Sequence, residues 1–165
     1  MNSGLKASAA LNTLLDFTKF PCTQTLMGLG ATPTDGEQFL GMLGMHGTYQ
    51  ANLAMHQSDL MICVGARFDD RITGKVSGFS PNSIKIHMDI DASSFNKSVN
   101  ADLLIQGDLS KILEMTVKYI REKKITFQNK KIEKWWAQIN KWRSKNCLSY
   151  KKSSSMIKPQ FALER

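Results

Sequence analysis

The segment Asp59-Leu60-Met61-Ile62-Cys63-Val64-Gly65 constrains the fold most, because five consecutive apolar residues stand between an acid and a glycine. A run so short and so uniform has no polar face to turn to water. That is the pattern of a strand covered on both faces in a parallel sheet. Ser83 through Ile90 reads as a second strand with acid at its C-terminal end, and Leu103 through Gln106 as a third, leading into Gly107-Asp108. Helical spacing surrounds them at residues near 5–18, at 48–57, and where Leu109, Ile112, Leu113, Val117 and Ile120 recur, with Asp108 placed as the N-cap. Lys19-Phe20-Pro21 breaks the first helix before the extended piece Cys22 to Leu26. Strands alternating with helices predict an α/β fold of three layers, a mostly parallel sheet with helices on both faces. The pattern opens on a helix with no strand ahead of it, so this sheet is expected to lack its first strand.

Beyond residue 120 the pattern changes. Arg121-Glu122-Lys123-Lys124 closes the globular part, and the polar stretch to Lys131 reads as a linker. Ile132, Trp135, Trp136, Ile139 and Trp142 then share one face of a helix over about 129–146. Such a stripe requires a cover. Lys151-Lys152-Ser153-Ser154-Ser155 is a spacer, and a new helix begins at Pro159. The division is therefore 1–124 as one domain, 125–156 as linker helix and spacer, and 157–165 as the start of a further domain.

A net charge of +8 raises the question of nucleic acid, but residues 1–107 carry net −2 and residues 108–165 carry net +10. Basicity confined to one end describes a solvated arm or a partner surface rather than a nucleic-acid-binding fold. Cys22, Cys63 and Cys147 are odd in number and far apart, so neither a disulfide framework nor a metal site is indicated, and reduced thiols are expected. No apolar run approaches the roughly 20 residues that span a bilayer.

In open parallel sheets, ligands settle beyond the carboxyl ends of the strands. Gly28, Gly30, Gly36, Gly41, Gly44 and Gly47 crowd one such region, more than turns alone require. Gly41 to Gly47 opens a helix, so its amides are read either as a phosphate or ring-edge cradle or as a structural turn. Arg67, Asp69, Asp70 and Arg71 crowd the tip of the Asp59–Gly65 strand. They are read either as a grip for a diphosphate or carboxylate or as a local salt-bridge network. Asp89 and Asp91 stand where a ribose-binding acid is often found, and Asp91 equally suits a helix cap. His46 has no partner nearby in sequence, while His56 and His87 read as core or surface residues. No constellation suggests covalent catalysis. From the residues alone, this is a nucleotide-binding α/β domain without visible catalytic machinery.

Several segments together resemble one family. Pro21 to Gly30 (PCTQTLMGLG), Phe39 to Tyr49 (FLGMLGMHGTY), Val64 to Gly74 (VGARFDDRITG) and Lys85 to Asp91 (KIHMDID) are similar to the central domain of acetolactate (acetohydroxyacid) synthase catalytic subunits. Trp135 to Trp142 and Ile157 to Gln160 resemble that family's linker helix and the first residues of its thiamine diphosphate domain. The resemblance implies a condensation of pyruvate with a second 2-oxo acid, pyruvate or 2-oxobutanoate, with loss of CO2, in the biosynthesis of valine, leucine and isoleucine. It implies FAD held in this domain, largely for structure, and thiamine diphosphate with Mg2+ in the full enzyme. Thr25, Leu26 and Met27 with Leu43, Gly44, Met45, His46 and Gly47 are then expected on the flavin. Gly65, Arg67, Asp69, Arg71 and Ile72 are expected along the ribityl and diphosphate portion. Asp89, Ile90, Gly107 and Asp108 flank the adenosine end, and Arg71 faces the substrate channel.

In the family a strand and a glycine triplet precede the segment matching Asn2-Ser3-Gly4, and Cys147 stands near a usual proline. The glutamate that activates thiamine diphosphate and the ligands of the magnesium ion lie in domains outside this stretch. No catalytic residue and no metal ligand is therefore assigned, and the chain alone is expected to be inactive. Expected partners are the remaining domains of the subunit, further copies of it and a small regulatory subunit, with neither nucleic acid nor membrane; the expected compartment is the cytoplasm, or a plastid or other organelle in a eukaryote. Two rivals stand beside this reading: another thiamine diphosphate enzyme such as glyoxylate carboligase, pyruvate oxidase or a decarboxylase, and a nucleotide-holding module without catalysis.

Overall fold

The computed structural model describes residues 3–127 and 129–165. Met1 and Asn2, in the expected entry to the first helix, and Gln128, in the expected linker, lie outside the described residues. Among the described residues five strands and six α-helices follow in the order α1 (Ser3–Thr18), β1 (Cys22–Gln24), β2 (Phe39–Met42), α2 (Tyr49–Gln57), β3 (Leu60–Val64), α3 (Asp70–Thr73), β4 (Ile84–Asp89), β5 (Leu103–Gln106), α4 (Leu109–Glu122), α5 (Asn129–Arg143) and α6 (Pro159–Glu164). All strand pairs are parallel. The fold is α/β, parallel sheet flanked by helices.

The sheet is not continuous. β1 pairs with β2, while β3, β4 and β5 form a second sheet with β4 in the middle. β3 is therefore an edge strand, and this corrects the expectation that its apolar run is buried on both faces. Leu60 is 37% exposed and the remaining β3 residues are only half-buried. The burial falls instead on β4, whose Lys85, His87, Met88 and Asp89 are all buried because a strand flanks it on each side.

Two elements escape the periodicity. β2 lies inside the glycine-dense segment, where Gly41 adopts φ +104°, so only four residues extend and no alternation develops. α3 is one turn, too short to register a period. Boundaries elsewhere agree to a few residues: Thr48 caps α2, its hydroxyl accepting the Ala51 amide, and Asp108 caps α4 by accepting the Ser110 amide at 2.8 Å.

Three apolar clusters hold these layers. Leu113, Val117 and Ile120 of α4 pack with Ala10 and Leu14 of α1 and with Met88 of β4. Phe68, Phe79 and Val99 form a second cluster. The third explains the tryptophan stripe: Ile139 and Trp142 of α5 are buried with Leu40, Ala51 and Ala54, and Trp135 and Trp136 flank them. Arg143 donates to the Glu37 and Phe39 carbonyls, and the Trp136 indole donates to the Lys19 carbonyl at 2.8 Å. α5 thus lies against β2 and α2.

Candidate functional site

A large cavity of about 1040 Å3 runs between the two sheets. Its walls include β1, β3 and α1, and it is bordered beyond the strand ends by Thr25, Met27, Gly28, Leu43, Gly65, Arg67 and Ile72. Seven of the loop positions singled out from sequence thus reach one cleft or its neighbours' turns, at the carboxyl ends of β1 and β3, where an open parallel sheet presents its ligand crevice.

The loop after β1 is built by Gln24. Its side-chain carbonyl accepts the Gly30 amide at 2.9 Å while its amide donates to the Thr32 carbonyl at 3.2 Å, and Gln24 is itself buried. Thr25 caps the short turn that follows, accepting the Gly28 amide at 3.1 Å. With the backbone pinned at both ends, Leu26 and Met27 are thrust outward, 69% and 93% exposed.

The loop after β2 spends its own amides. Leu43 donates to the Gln24 carbonyl, Gly44 to the Asn52 side chain, Met45 to the Arg71 carbonyl, Gly47 to the Gly44 carbonyl and Thr48 to the Met42 carbonyl. Among the described residues, only the His46 amide is left over between Leu43 and Thr48. Of the two readings of this segment, these bonds describe the structural turn; it presents side chains, with Met45 65% exposed and His46 exposed. Asn52 clamps it, returning a hydrogen bond of 2.9 Å to the Gly44 carbonyl. Gly44 sits at φ +101°, and a Cβ there would lie 2.6 Å from the Arg71 carbonyl oxygen. Glycine is what allows this loop to touch α3.

After β3, Arg67 pairs with Asp69 at 3.0 Å, both largely exposed. Arg71 is exposed on α3 and Asp69 makes no capping bond to that turn. The salt-bridge reading thus holds for one pair, and such an exposed pair is weak enough to exchange for a ligand. The Cys63 thiol donates to the Ala66 carbonyl at 2.8 Å, and burial pushes its pKa up to about 12, so it offers no thiolate at this mouth.

The third group is separate. Asp89 is buried, accepting the Asp91 amide at 2.9 Å and lying 3.8 Å from His87 Nε2. Asp91 caps the turn Ala92–Ser94 through the Ser93 amide, and Asp108 caps α4. Both acids serve the protein's own turns. Gly107 joins the group by donating to the Asp89 carbonyl at 3.0 Å, and Ile90 stands exposed beside it. None of these five residues lines the large cleft.

Gln24 and Asn52, which organise the two loops, escape sequence reasoning. Their signal is faint: a buried amide side chain ending a strand, and one on the helix after a glycine loop. Among the described residues no group of three or more His, Cys, Asp and Glu is placed to hold a metal ion, and no helix is long and apolar enough to cross a membrane.

Comparison with known proteins identifies the family of this scaffold. Residues 2–116 match the family described as the thiamine pyrophosphate enzyme, central domain. The chain is 46% identical to the acetolactate synthase large subunit of Haemophilus influenzae over 144 residues, 87% of this chain and 25% of that protein. It is 42% identical to the acetolactate synthase isozyme 3 large subunit of Escherichia coli over 154 residues, 93% of this chain and 27% of that one. With the acetolactate synthase of Mycobacterium avium it shares 39% identity over 161 residues, 97% of this chain and 26% of the relative. The chain spans about a quarter of the length of these relatives. A match over most of the chain, on a parallel α/β scaffold with its loops gathered at the strand ends, makes this protein a member of the thiamine pyrophosphate enzyme central-domain family.

Proposed function

We propose that this chain is the cofactor-holding part of an acetolactate synthase large subunit, and that the mouth of the cleft binds FAD. The observation that carries this is the exposure of Leu26, Met27 and Met45 on two rigid loops next to exposed Arg67 and Arg71. Flexible apolar side chains of this kind, two of them thioethers, suit the face of a flat aromatic ring. Guanidinium groups at the tip of β3 suit the diphosphate. Thr25, Leu43, Gly44, His46 and Gly47 would flank the ring, with Gly65, Asp69 and Ile72 along the chain between ring and diphosphate. The donor set fits the group. At the adenosine end the carboxylates of Asp89 and Asp108 are already engaged by backbone amides, so contact there would come through Ile90 and the backbone at Gly107.

In the complete enzyme, thiamine diphosphate with Mg2+ would supply the carbanion that condenses pyruvate with a second 2-oxo acid. This chain's part is to hold a cofactor and to aim Arg71, fixed through its carbonyl by the Met45 amide at 2.9 Å, toward a substrate carboxylate. A guanidinium carried on that backbone would bind and orient a 2-oxo acid; it moves no proton. The remaining domains, further copies and a small regulatory subunit complete the assembly in this reading.

Titration of the purified chain with FAD, followed by flavin fluorescence, tests the reading. Saturable binding is expected, weakened roughly tenfold or more by Arg67→Ala, as befits loss of a charged hydrogen bond. Absence of saturation in a folded chain, or equal affinity of the Arg67→Ala form, would overturn the assignment of this mouth. With every cofactor supplied, the chain alone is expected to yield no acetolactate from pyruvate; detection of that product would refute the inactivity.

A further inference from the structure

Two loops that meet at the mouth come from different sheets: one follows β2, which pairs with β1, and the other leads from β3 into α3. Among the described residues no strand pairing joins those sheets, so the spacing of the loops is set where they touch. The Met45 amide donates to the Arg71 carbonyl at 2.9 Å. Gly44 lies so near that a Cβ on it would stand 2.6 Å from that same oxygen and 3.2 Å from the Ile72 Cα.

So close an approach depends on the orientation of the Gly44 peptide groups, and one side chain grips both. The Asn52 carboxamide accepts the Gly44 amide and donates to the Gly44 carbonyl, each at 2.9 Å. Donor and acceptor in one short plane are what such a grip needs, and a second bond fixes the rotation that one bond would leave free. Asn52 is itself well seated. It lies on α2 between Ala51 and Ala54, which are buried against Ile139 and Trp142 of α5. Just past α5, Lys145 donates to the Tyr49 hydroxyl at 2.7 Å and stands 4.4 Å over the Tyr49 ring, holding the start of α2. The grip is thus anchored on packed helices and not on another loop.

We infer that Asn52 is a positioning residue: by holding Gly44 it registers the loop after β2 on α3, and so sets the spacing of Met45 and Arg71 across the mouth. Its consequence for binding rests on the proposal that this mouth takes FAD; the registration of the two loops does not.

Asn52→Leu keeps the size of the side chain and suits a helix, while removing both bonds. Residue-resolved amide exchange on the full chain without FAD is the first readout. Exchange at Gly44 and Met45 is expected to quicken roughly tenfold or more, with Leu113 in the α4 core unchanged. Asn52→Asp should match it at neutral pH, where a carboxylate accepts but cannot donate. At about pH 4 the protonated carboxyl regains a donor, and exchange should return toward that of the unsubstituted chain at the same pH. This pair of pH values decides the matter even where the leucine form does not fold. The second readout is flavin fluorescence, with FAD affinity expected to fall roughly fivefold in Asn52→Leu, the weight of one neutral hydrogen bond.

Unchanged exchange at Met45 would overturn the inference, and so would equal quickening at Leu113, which marks a general loss of stability. Absence of recovery on acidification would remove the two-bond grip. Quickened exchange with undiminished FAD affinity would leave Asn52 a part of the scaffold and overturn the positioning role. Should the unsubstituted chain bind no FAD, the flavin reading falls by itself, and the exchange rates still decide whether Asn52 registers the loops.

Discussion

β3 and β4 lie side by side in register, yet their burial runs opposite to their composition. Leu60-Met61-Ile62-Cys63-Val64 is wholly apolar and only half-covered, while β4 carries Lys85, His87 and Asp89 and is nearly all inside. Neighbours decide. β4 has a strand on each side and the Phe68 and Phe95 rings against His87, whereas β3 has a strand on one side and a cavity on the other. Each buried polar group of β4 must then be reconciled with its surroundings. Lys85 manages it by donating to the Ser80 and Ser83 carbonyls at 2.9 and 3.0 Å. His87 does not: among the described residues, neither ring nitrogen has a hydrogen-bond partner.

The largest expected effect separates the covered strand from the uncovered one. Leu113 is fully buried against Met88 of β4, so Leu113→Ala should cost about 2–5 kcal/mol. Leu60→Ala, on the open edge, should cost under about 1 kcal/mol. Urea denaturation reads both as shifts of the midpoint at constant slope. Comparable losses at the two sites would mean that β3 is as well covered as β4, and that the cleft closes in solution.

His87 sharpens the same contrast through pH. Burial holds its pKa below the ordinary value of 6.5, outweighing the opposing pull of Asp89. The folded chain therefore stays neutral at His87 where the unfolded chain takes up a proton. The unfolded state binds more protons below pH 6.5, so stability is full above that pH and falls as pH drops through it. His87→Phe, which extends the ring cluster with Phe68 at 5.0 Å and Phe95 at 5.1 Å, removes the two orphan nitrogens. It should flatten that limb and add about 1–2 kcal/mol above pH 7. Denaturation midpoints from pH 5 to 8 decide it; an unchanged slope would place the titrating group elsewhere.

Legibility in the sequence followed the same physics. α4 declared itself because one stripe of leucine, isoleucine and valine meets one core, and its cap Asp108 is local chemistry. The loops at the mouth were legible as glycine clusters, since close approach such as that of Gly44 to Arg71 leaves that mark. Their function as a turn with internally satisfied amides was not, because it depends on Gln24 and Asn52, whose partners lie six and eight residues away in a folded geometry. The exposure of β3 was invisible for a related reason: an apolar run reports what a strand is suited to touch, and the missing neighbour is a property of the sheet. The tryptophan stripe called for a cover, and α2 with β2 supplies it.

The smallest expected effect contrasts the acids that follow the two strands. Asp69, after β3, is exposed, and among the described residues its carboxylate meets only the Arg67 guanidinium, so Asp69→Asn should change stability by less than about 1 kcal/mol, and by nothing measurable once salt screens the pair. Asp89, at the end of β4, is buried and holds the Asp91 amide, so Asp89→Asn should cost about 1–3 kcal/mol with little salt dependence. Paired denaturation curves at low and high salt measure both. A salt-insensitive loss at Asp69 as large as that at Asp89 would show the Arg67 pair to be part of the scaffold, and would remove the reason for expecting Arg67 to exchange its carboxylate for an incoming diphosphate.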